Sequence, residues 1–295
     1  MYLTADPMAS PSQQTSVPAA RSGSFVIGGE LSVRRLGFGA MRLPGMLGAP
    51  DLAQAHAVLR EAVRLGVTLI DTAHAYGRSE QLIAEALHPY PEGLVIATKG
   101  GLGRGGRPDG RPERLRADCE ESLRRLRLDT IDLWQLHEPD PEIPLEEQLG
   151  TIRELRDEGK IRLVGISNVS VGKLRRAREL VEIATVQNRF NLAERAGDGV
   201  LRECAAAAIG FMPYVPIGMG ELAGTGDVLT RVAGRHDATP AQIALAWLLR
   251  RSPVMLPIPG TGSQGHLREN VGAARIELSE DDLLVLERNV QRPGL

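Results

Sequence analysis

The chain has 295 residues, a length that suits a single α/β barrel of about 250 residues or more. Its 35 Lys and Arg balance 37 Asp and Glu to a formal net charge of −2 without any block of like charges, and no apolar run approaches the roughly 20 residues of a membrane span. Neither nucleic acid nor a membrane is therefore an expected partner, and we expect a cytoplasmic protein that binds a small molecule.

The first 23 residues predict a disordered tail ahead of a single domain over residues 24–295. Pro, Ser, Gln and Ala dominate this stretch, which lacks the basic start and the apolar core of a signal peptide. The two cysteines, Cys119 and Cys204, lie in helix-like segments without metal-ligand spacing. We expect both to be inert thiols.

From residue 36 onward, short apolar runs typical of strands alternate with amphipathic runs typical of helices. Eight strands are predicted, at 36–43, 68–73, 94–100, 130–137, 161–167, 184–190, 210–217 and 255–260. A helical pattern follows each strand, and the one over 239–251 begins with Thr239 as an N-cap and Pro240 at the first helical position. Eight such pairs favour a (β/α)₈ TIM barrel. An open dinucleotide-binding sheet usually has GxGxxG after its first strand, where this chain has GFGAMR.

Ionisable side chains follow the ends of the predicted strands, where a barrel places its functional face. Asp71 ends the second strand, and Tyr76 lies on the loop behind it. Lys99 ends the third strand, and His137 ends the fourth. Taken singly, Asp71 is as often a turn or helix cap, Tyr76 is packing, and His137 is more often a satisfied core or rim histidine. Lys99 is more informative, because only three of the 35 basic residues are lysines.

Together these four side chains predict a proton donor for a carbonyl group. An adjacent ammonium stabilises a phenolate and lowers the pKa of a tyrosine from its ordinary value of about 10. A carboxylate positions the ammonium and compensates its burial, and a histidine orients the substrate oxygen. Such a donor also requires a source of hydride. Asn168 and Gln187 are candidates for holding a carboxamide, Tyr214 for a planar ring and the turn PGTGS for a phosphate.

The order of the motifs resembles the aldo-keto reductase superfamily from Phe25 to the C-terminus. The matching segments are GFGAMR, IDTAHAYGRSEQLIAEAL, ATKGG, DLWQLHEPDP, DEGKIRLVGISN, VQNRFNL, PYVPIG, TPAQIALAWLL and PIPGTGSQGHLRENVGAA. The resemblance implies an NADPH-dependent enzyme without a metal that reduces an aldehyde or ketone to an alcohol. Tyr76 would be the general acid/base, with Lys99 and Asp71 as the pair that tunes it. His137 would orient the carbonyl.

The resemblance also implies a set of cofactor contacts. These are Gly39, Ala40, Met41, Asp71, Ser167, Asn168, Gln187, Tyr214, Pro216, Ile217, Gly218, Gly220, Gly260, Thr261, Gly262, Ser263, His266, Glu269 and Asn270. Relatives that bind NADPH tightly often carry Lys or Arg at the positions of Gly260 and His266. Arg268 or a helix N-terminus would then replace those cations, and NADH is an alternative cofactor.

The sequence does not identify the substrate. The short loop over 138–144 implies a wide, shallow pocket, with His74 as a rim or solvated residue. The Gly-rich segment with Arg104, Arg107 and Arg111 is either a solvated loop or one that folds over an anionic or bulky substrate. Reduction of another polarised double bond, in a cyclic imine or a keto-sugar intermediate, is an alternative. A nicotinamide-sensing regulatory subunit is an alternative from another class.

Overall fold

The computed structural model describes residues 17–43, 52–218 and 226–289. Its core is a parallel sheet of seven strands that pair in chain order. The strands are β3 (Phe38–Gly39), β4 (Leu69–Asp71), β5 (Val95–Gly100), β6 (Ile131–Leu136), β7 (Ile161–Ser167), β8 (Ile183–Arg189) and β9 (Gly210–Tyr214). They correspond to the first seven predicted strands. The predicted (β/α)₈ barrel is confirmed.

The eighth predicted strand, 255–260, closes the barrel without forming a regular strand. Leu256 N–H donates to Phe211 O of β9 at 2.8 Å, and the N–H of Gly37, just before β3, donates to Pro257 O at 2.9 Å. The segment therefore bonds to both edges of the sheet. Pro257 and Pro259 lack the N–H groups that a regular ladder needs, which explains why only part of the pairing forms.

An antiparallel hairpin that the sequence did not predict precedes the barrel. It consists of β1 (Ser24–Ile27) and β2 (Leu31–Arg34). Its buried side chains belong to one apolar cluster with residues from the amino ends of the barrel strands, such as Leu69, Val95 and Leu163. The hairpin thus covers the amino-terminal end of the barrel, and the opposite end stays open.

Ten α-helices occur in the described residues. They are α1 (Leu52–Arg64), α2 (Ser79–Leu87), α3 (Pro112–Leu126), α4 (Leu145–Asp157), α5 (Val171–Leu180), α6 (Asp198–Ala206), α7 (Gly226–Arg235), α8 (Pro240–Arg251), α9 (Gln264–Gly272) and α10 (Glu280–Asn289). Helix α8 begins with the predicted Thr239 cap, as a capping box with Gln242. Helices α7 and α10 were not predicted. None of the described helices is long and apolar enough to cross a membrane.

The structured chain begins before the boundary predicted at residue 24. Pro18–Ser22 forms a 3₁₀ helix in which Ala19 and Ser22 are buried. Ala19 N–H donates to Leu65 O at 3.1 Å, and Ser22 Oγ accepts from Leu36 N–H at 3.1 Å. Residues 17–23 are therefore attached to the barrel by specific hydrogen bonds. The rest of the predicted tail lies outside the described residues.

Closure of the barrel depends on a close approach at Gly39. A Cβ atom there would lie 2.6 Å from Ile258 O, which is backbone. We expect Gly39→Ala to destabilise the protein by about 1–3 kcal/mol, as overpacked sites do, because the closing segment must move away. Urea unfolding measures the free energy. Gly150→Ala is the matched control: Gly150 lies within α4 with open space around it, and alanine there should stabilise by roughly 0.5–1 kcal/mol. Equal stability of Gly39→Ala and the wild type would contradict this account of closure.

Candidate active site

The candidate residues meet at the open, carboxyl-terminal end of the barrel. A cavity of about 1610 Å³ lies there. Its lining includes most of the predicted site: Gly39, Met41, Asp71, Tyr76, His137, Ser167, Asn168, Gln187, Tyr214, Pro216, Ile217, Gly218, Gly260, Thr261, Gly262, Ser263, His266, Glu269 and Asn270. Lys99 is fully buried and does not line the cavity, and Ala40 is likewise buried outside its lining. Gly220 lies outside the described residues.

Lys99 and Asp71 form a buried ion pair between β5 and β4. Lys99 Nζ donates to both carboxylate oxygens of Asp71, at 2.9 and 2.7 Å, and to the backbone carbonyl of Thr72 at 2.7 Å. An ammonium has three N–H donors, and these acceptors lie within hydrogen-bonding distance of them. Lys99 has no exposed surface. Its charge is therefore compensated and its position is fixed.

Tyr76 lies on the loop between β4 and α2. Its N–H donates to Ala73 O at 3.0 Å, and its carbonyl accepts from Ser79 N–H at 3.0 Å. Thr72 Oγ1 donates to Ser79 Oγ at 2.8 Å, and Ser79 Oγ donates to Ala40 O at 3.2 Å. The loop is thereby bonded to the end of β4 on one side and to Ala40, just after β3, on the other.

The Tyr76 phenol lies close to the Lys99 ammonium. Lys99 Nζ is 5.2 Å from the ring centroid. Burial raises the pKa of Tyr76 above its ordinary value, and the positive charge of Lys99 acts in the opposite direction. The predicted effect of the ammonium is thus present, but burial outweighs it, so the pKa of Tyr76 lies above rather than below its ordinary value.

His137 faces Tyr76 across the cavity. The two rings meet edge to face, with centroids 5.8 Å apart and an interplanar angle of 82°. Burial, assisted by the nearby Lys99 charge, lowers the pKa of His137 to about 3. The imidazole is therefore neutral at neutral pH, and its Nδ1 has no hydrogen-bond partner within the described residues. A neutral ring of this kind donates from one nitrogen and accepts at the other.

Asn168 and Gln187, which are predicted to hold a carboxamide, are hydrogen-bonded to neighbouring residues of the site. Asn168 Nδ2 donates to His137 O at 3.0 Å, and Asn168 Oδ1 accepts from the Tyr214 hydroxyl at 2.8 Å. Gln187 Nε2 donates to Asp71 Oδ1 at 2.9 Å. This bond uses one of the two N–H groups of the Gln187 amide, so its second N–H and its carbonyl oxygen remain for other partners.

The turn PGTGS leads into α9, as predicted. Ser263 caps the helix by accepting from His266 N–H at 3.4 Å, and its own N–H donates to Thr261 Oγ1 at 3.1 Å. Helix N-termini favour anions. Arg268, the cation considered as a substitute at this end, donates from Nε to Glu61 Oε1 at 2.7 Å and is not among the residues that line the cavity. Glu61 also binds Arg64.

A polar wall that the sequence did not predict borders the cavity beside Tyr76. His74 is half-buried there, with Nδ1 3.4 Å from Asp118 and Nε2 3.5 Å from Glu121. Arg114 binds Asp118 at 2.8 Å, and Arg125 binds Glu121 at 2.7 Å. His74 is therefore a residue of the cavity rather than a solvated one. These contacts come from α3, which no local sequence signal connects with the loop of Tyr76.

The Gly-rich segment after β5 borders the cavity through three glycines, and the side chain of Arg104 lies outside the described residues. Gly103, Gly105 and Gly106 line the cavity. Arg111 makes a double hydrogen bond with Asp109, at 2.8 and 2.9 Å. Arg107 is exposed and is not among the lining residues.

Gln135 is a further residue of the site that the sequence reasoning missed. It lies on β6, in register with Lys99, and its Nε2 donates to Asp71 Oδ1 at 3.3 Å. Strand side chains alternate between faces, so a residue two positions before His137 shares its face. That alternation is the signal that would have identified Gln135.

Comparison with known proteins identifies the family. The sequence model of the aldo/keto reductase family matches residues 35–288. An uncharacterized oxidoreductase of Schizosaccharomyces pombe is 44% identical over 283 residues, which cover 93% of this chain and 92% of that protein. Pyridoxine 4-dehydrogenase of Escherichia coli is 42% identical over 282 residues, which cover 90% of this chain and 98% of that enzyme.

Solved structures agree with these relatives. An aldo-keto reductase from Klebsiella pneumoniae in complex with NADPH is similar with a TM-score of 0.80 at 28% identity, over 92% of this chain and 96% of that one. The thermostable aldo-keto reductase Tm1743, in complex with the inhibitor epalrestat, gives a TM-score of 0.78 at 33% identity, over 90% of this chain and 98% of that one. The chain belongs to the aldo/keto reductase family and is an NAD(P)H-dependent oxidoreductase.

Proposed function

We propose that this enzyme reduces an aldehyde or ketone to an alcohol, with NADPH as the hydride donor and Tyr76 as the proton donor. One observation carries the proposal. The fully buried Lys99 ammonium, neutralised by Asp71, lies 5.2 Å from the centroid of the Tyr76 ring, which itself lines an open cavity. A phenol placed beside a fixed positive charge is suited to giving up a proton during reaction.

The four side chains control the transfer of a proton to the substrate oxygen. A bound nicotinamide supplies the hydride. The Tyr76 hydroxyl donates its proton to the substrate oxygen as that oxygen gains negative charge, and the O–H bond of the phenol breaks. Lys99 stabilises the phenolate that remains, and Asp71 holds Lys99 in place. Because burial raises the pKa of Tyr76, the phenol is in its donor form before substrate binds.

His137 orients the substrate in this proposal. Its pKa of about 3 keeps the imidazole neutral. A neutral ring donates one hydrogen bond to the carbonyl oxygen and does not compete with Tyr76 as the acid. The edge-to-face contact of the two rings supports the view that both reach the same oxygen.

The cavity residues fit a dinucleotide. A volume of about 1610 Å³ exceeds the roughly 300–1,000 Å³ of an ordinary small-ligand site, so there is room for a cofactor together with a substrate. Ser167, Asn168 and Gln187 would hold the carboxamide, Tyr214 would stack on the nicotinamide, and residues 260–270 would hold the adenosine end. The Klebsiella relative with bound NADPH favours that cofactor over NADH.

Pyridoxal is the first substrate to test. The Escherichia coli relative at 42% identity is named for the oxidation of pyridoxine at its 4-position, and reduction of the corresponding aldehyde is the reverse of that reaction. The polar wall of His74, Arg114 and Arg125 offers hydrogen-bonding groups to a heteroaromatic ring with hydroxyl substituents. A panel of aliphatic, aromatic and sugar aldehydes and a cyclic imine defines the substrate class.

We expect Tyr76→Phe to lower kcat for NADPH-dependent aldehyde reduction by a factor of about 10²–10⁴, the contribution typical of a positioned general acid. The Kd for NADPH, measured by cofactor fluorescence, should stay the same. Tyr90→Phe is the matched control, because its hydroxyl donates to Leu126 O away from the cavity. A Tyr76→Phe enzyme that retains the wild-type rate would refute the assignment of the acid.

The pH profile of reduction should be flat through neutrality. Tyr76 must be protonated to act, and its raised pKa places the fall in rate on the alkaline side, above the ordinary value of about 10. Since the pKa of His137 is lowered to about 3, no inflection is expected near the ordinary histidine value of about 6.5. The measurement is kcat/KM against pH. An inflection near neutrality that disappears in His137→Asn would contradict the neutral imidazole.

The preference for NADPH should increase on His266→Arg. His266 is exposed at the end of the cavity formed by α9, and a guanidinium there would pair with the 2′-phosphate. We expect the ratio of the Kd values for NADH and NADPH to rise about tenfold, as one charged hydrogen bond predicts. Arg268→Gln is the control and should leave the ratio unchanged, because Arg268 is bonded to Glu61. A fall in the ratio on Arg268→Gln would assign the phosphate to Arg268 instead.

A further inference from the structure

A series of hydrogen bonds runs through the barrel interior from Asp71 on β4, through Gln135 on β6, to Thr185 on β8. Gln135 Nε2 on β6 donates to Asp71 Oδ1 at 3.3 Å, and Gln135 Oε1 accepts from Thr185 Oγ1 on β8 at 3.2 Å. Gln135 and Thr185 have no exposed surface, and Asp71 has 3%. Neither Gln135 nor Thr185 lines the cavity. A ligand is therefore not needed for these contacts, and they belong to the interior of the barrel.

The charge of Asp71 determines which atom donates and which accepts in each of these hydrogen bonds. An ionised carboxylate can only accept, so the amide that faces it must present nitrogen. The amide oxygen of Gln135 then faces Thr185, and the Thr185 hydroxyl must be the donor. The carboxylate of Asp71 excludes the flipped amide, in which the oxygen of Gln135 would face it and be repelled. The Thr185 hydroxyl, which can donate or accept, supplies the hydrogen bond to the amide oxygen.

Gly165 makes this series of hydrogen bonds possible. It lies on β7, between Gln135 on one side and Thr185 on the other, in register with both. A Cβ atom at Gly165 would lie 2.3 Å from Thr185 Oγ1 and 2.6 Å from Gln135 Cγ. Since real Cβ atoms do not approach so closely, any side chain at Gly165 would separate the two. The hydrogen bond from Thr185 on β8 to Gln135 on β6 therefore lies in space that a side chain at Gly165 would fill.

We propose that Gln135, held at its amide oxygen by Thr185, is a positioning residue that acts through Asp71 and Lys99 on the proton transfer by Tyr76. The proposal rests on the proposed function of Tyr76 as the proton donor. Asp71 disfavours the phenolate and Lys99 favours it. The N–H of Gln135 takes up part of the Asp71 charge, which leaves more of the Lys99 charge to act on Tyr76.

Gln187 also donates to Asp71 Oδ1, at 2.9 Å, but its position differs. Gln187 lines the cavity and belongs to the proposed cofactor contacts, so its hydrogen bond is exposed to changes when a ligand binds. The contact of Gln135 is made within the barrel. Gln135 is thus the donor to the Asp71 carboxylate that no cavity ligand would contact.

Kinetics of two variants test the proposal. Gln135→Leu should lower kcat for aldehyde reduction about tenfold, as expected for the loss of one hydrogen bond to a charged group, with an unchanged Kd for NADPH. The alkaline limb of its pH profile should move to higher pH, because the phenolate loses stabilisation. Thr185→Val should act in the same direction with a smaller effect, since Gln135 remains but its amide oxygen loses its hydrogen-bond donor.

A matched control separates this role from a general loss of stability. Thr151→Val removes a buried threonine hydroxyl that donates to Glu147 O within α4, away from the barrel interior. It should change neither kcat nor the pH profile. If Gln135→Leu and Thr185→Val lower only the melting temperature and leave the pH profile in place, their role is structural and the proposal is overturned.

A double-mutant cycle tests the route through Asp71. In the Asp71→Asn background, the Gln135→Leu change should have little further effect on kcat, because the carboxylate through which it acts is gone. A full additional loss, equal to that seen in the wild-type background, would overturn the proposal. The conservative Thr185→Val change in the same background gives the answer again if Asp71→Asn with Gln135→Leu fails to fold.

A spectroscopic readout separates the failure of this inference from the failure of the proposed function. In protein labelled with ¹³C at tyrosine Cζ, the Tyr76 signal is the one that Tyr76→Phe removes from the four tyrosines of the chain. Gln135→Leu should raise the pH at which this signal begins to move towards tyrosinate. An unchanged titration in an active enzyme overturns the inference alone. A wild type that reduces no carbonyl overturns the proposed function, while the titration still decides the inference.

Discussion

The buried charge of Lys99 is the constraint on which the rest of the site depends. An ammonium without exposed surface must be compensated, and the Asp71 carboxylate and the Thr72 carbonyl accept its hydrogen bonds. This pairing makes the upper interior of the barrel polar, whereas Leu69 and Val95, at the amino ends of the same two strands, pack against the hairpin in an apolar cluster. The barrel therefore changes from an apolar base to a polar mouth within the length of one strand.

The same charge explains why a lysine stands at position 99 in a chain that otherwise uses arginine. The ammonium is compact, and its three N–H groups match three acceptors at 2.7 to 2.9 Å. A guanidinium is a planar fork with five donors and would leave some of them unpaired in this interior.

Sequence alone predicted the parts of the structure that depend on local pattern. The alternation of strands and helices gave the barrel, and the position of Asp71 at a strand end brought it to the candidate site. The unpredicted parts depend on three-dimensional context. Regular pairing over 255–260 is limited by two prolines. The net direction of the Tyr76 pKa follows from the extent of burial, which a strand-end rule does not contain. The bond from Gln135 to Thr185 requires the register of three strands.

The interior side chains at the mouth of the barrel act as one electrostatic unit. Each has its donors and acceptors assigned by a neighbour: Lys99 by Asp71, Asp71 by Lys99 and the two glutamines, and Gln135 by Thr185. A buried polar group cannot exchange its partner for water. A change in one member therefore alters the hydrogen bonding of its neighbour. Tyr76 lies at the end of this series with its hydroxyl on the cavity. It is there that a rearrangement of the interior would change chemistry rather than packing.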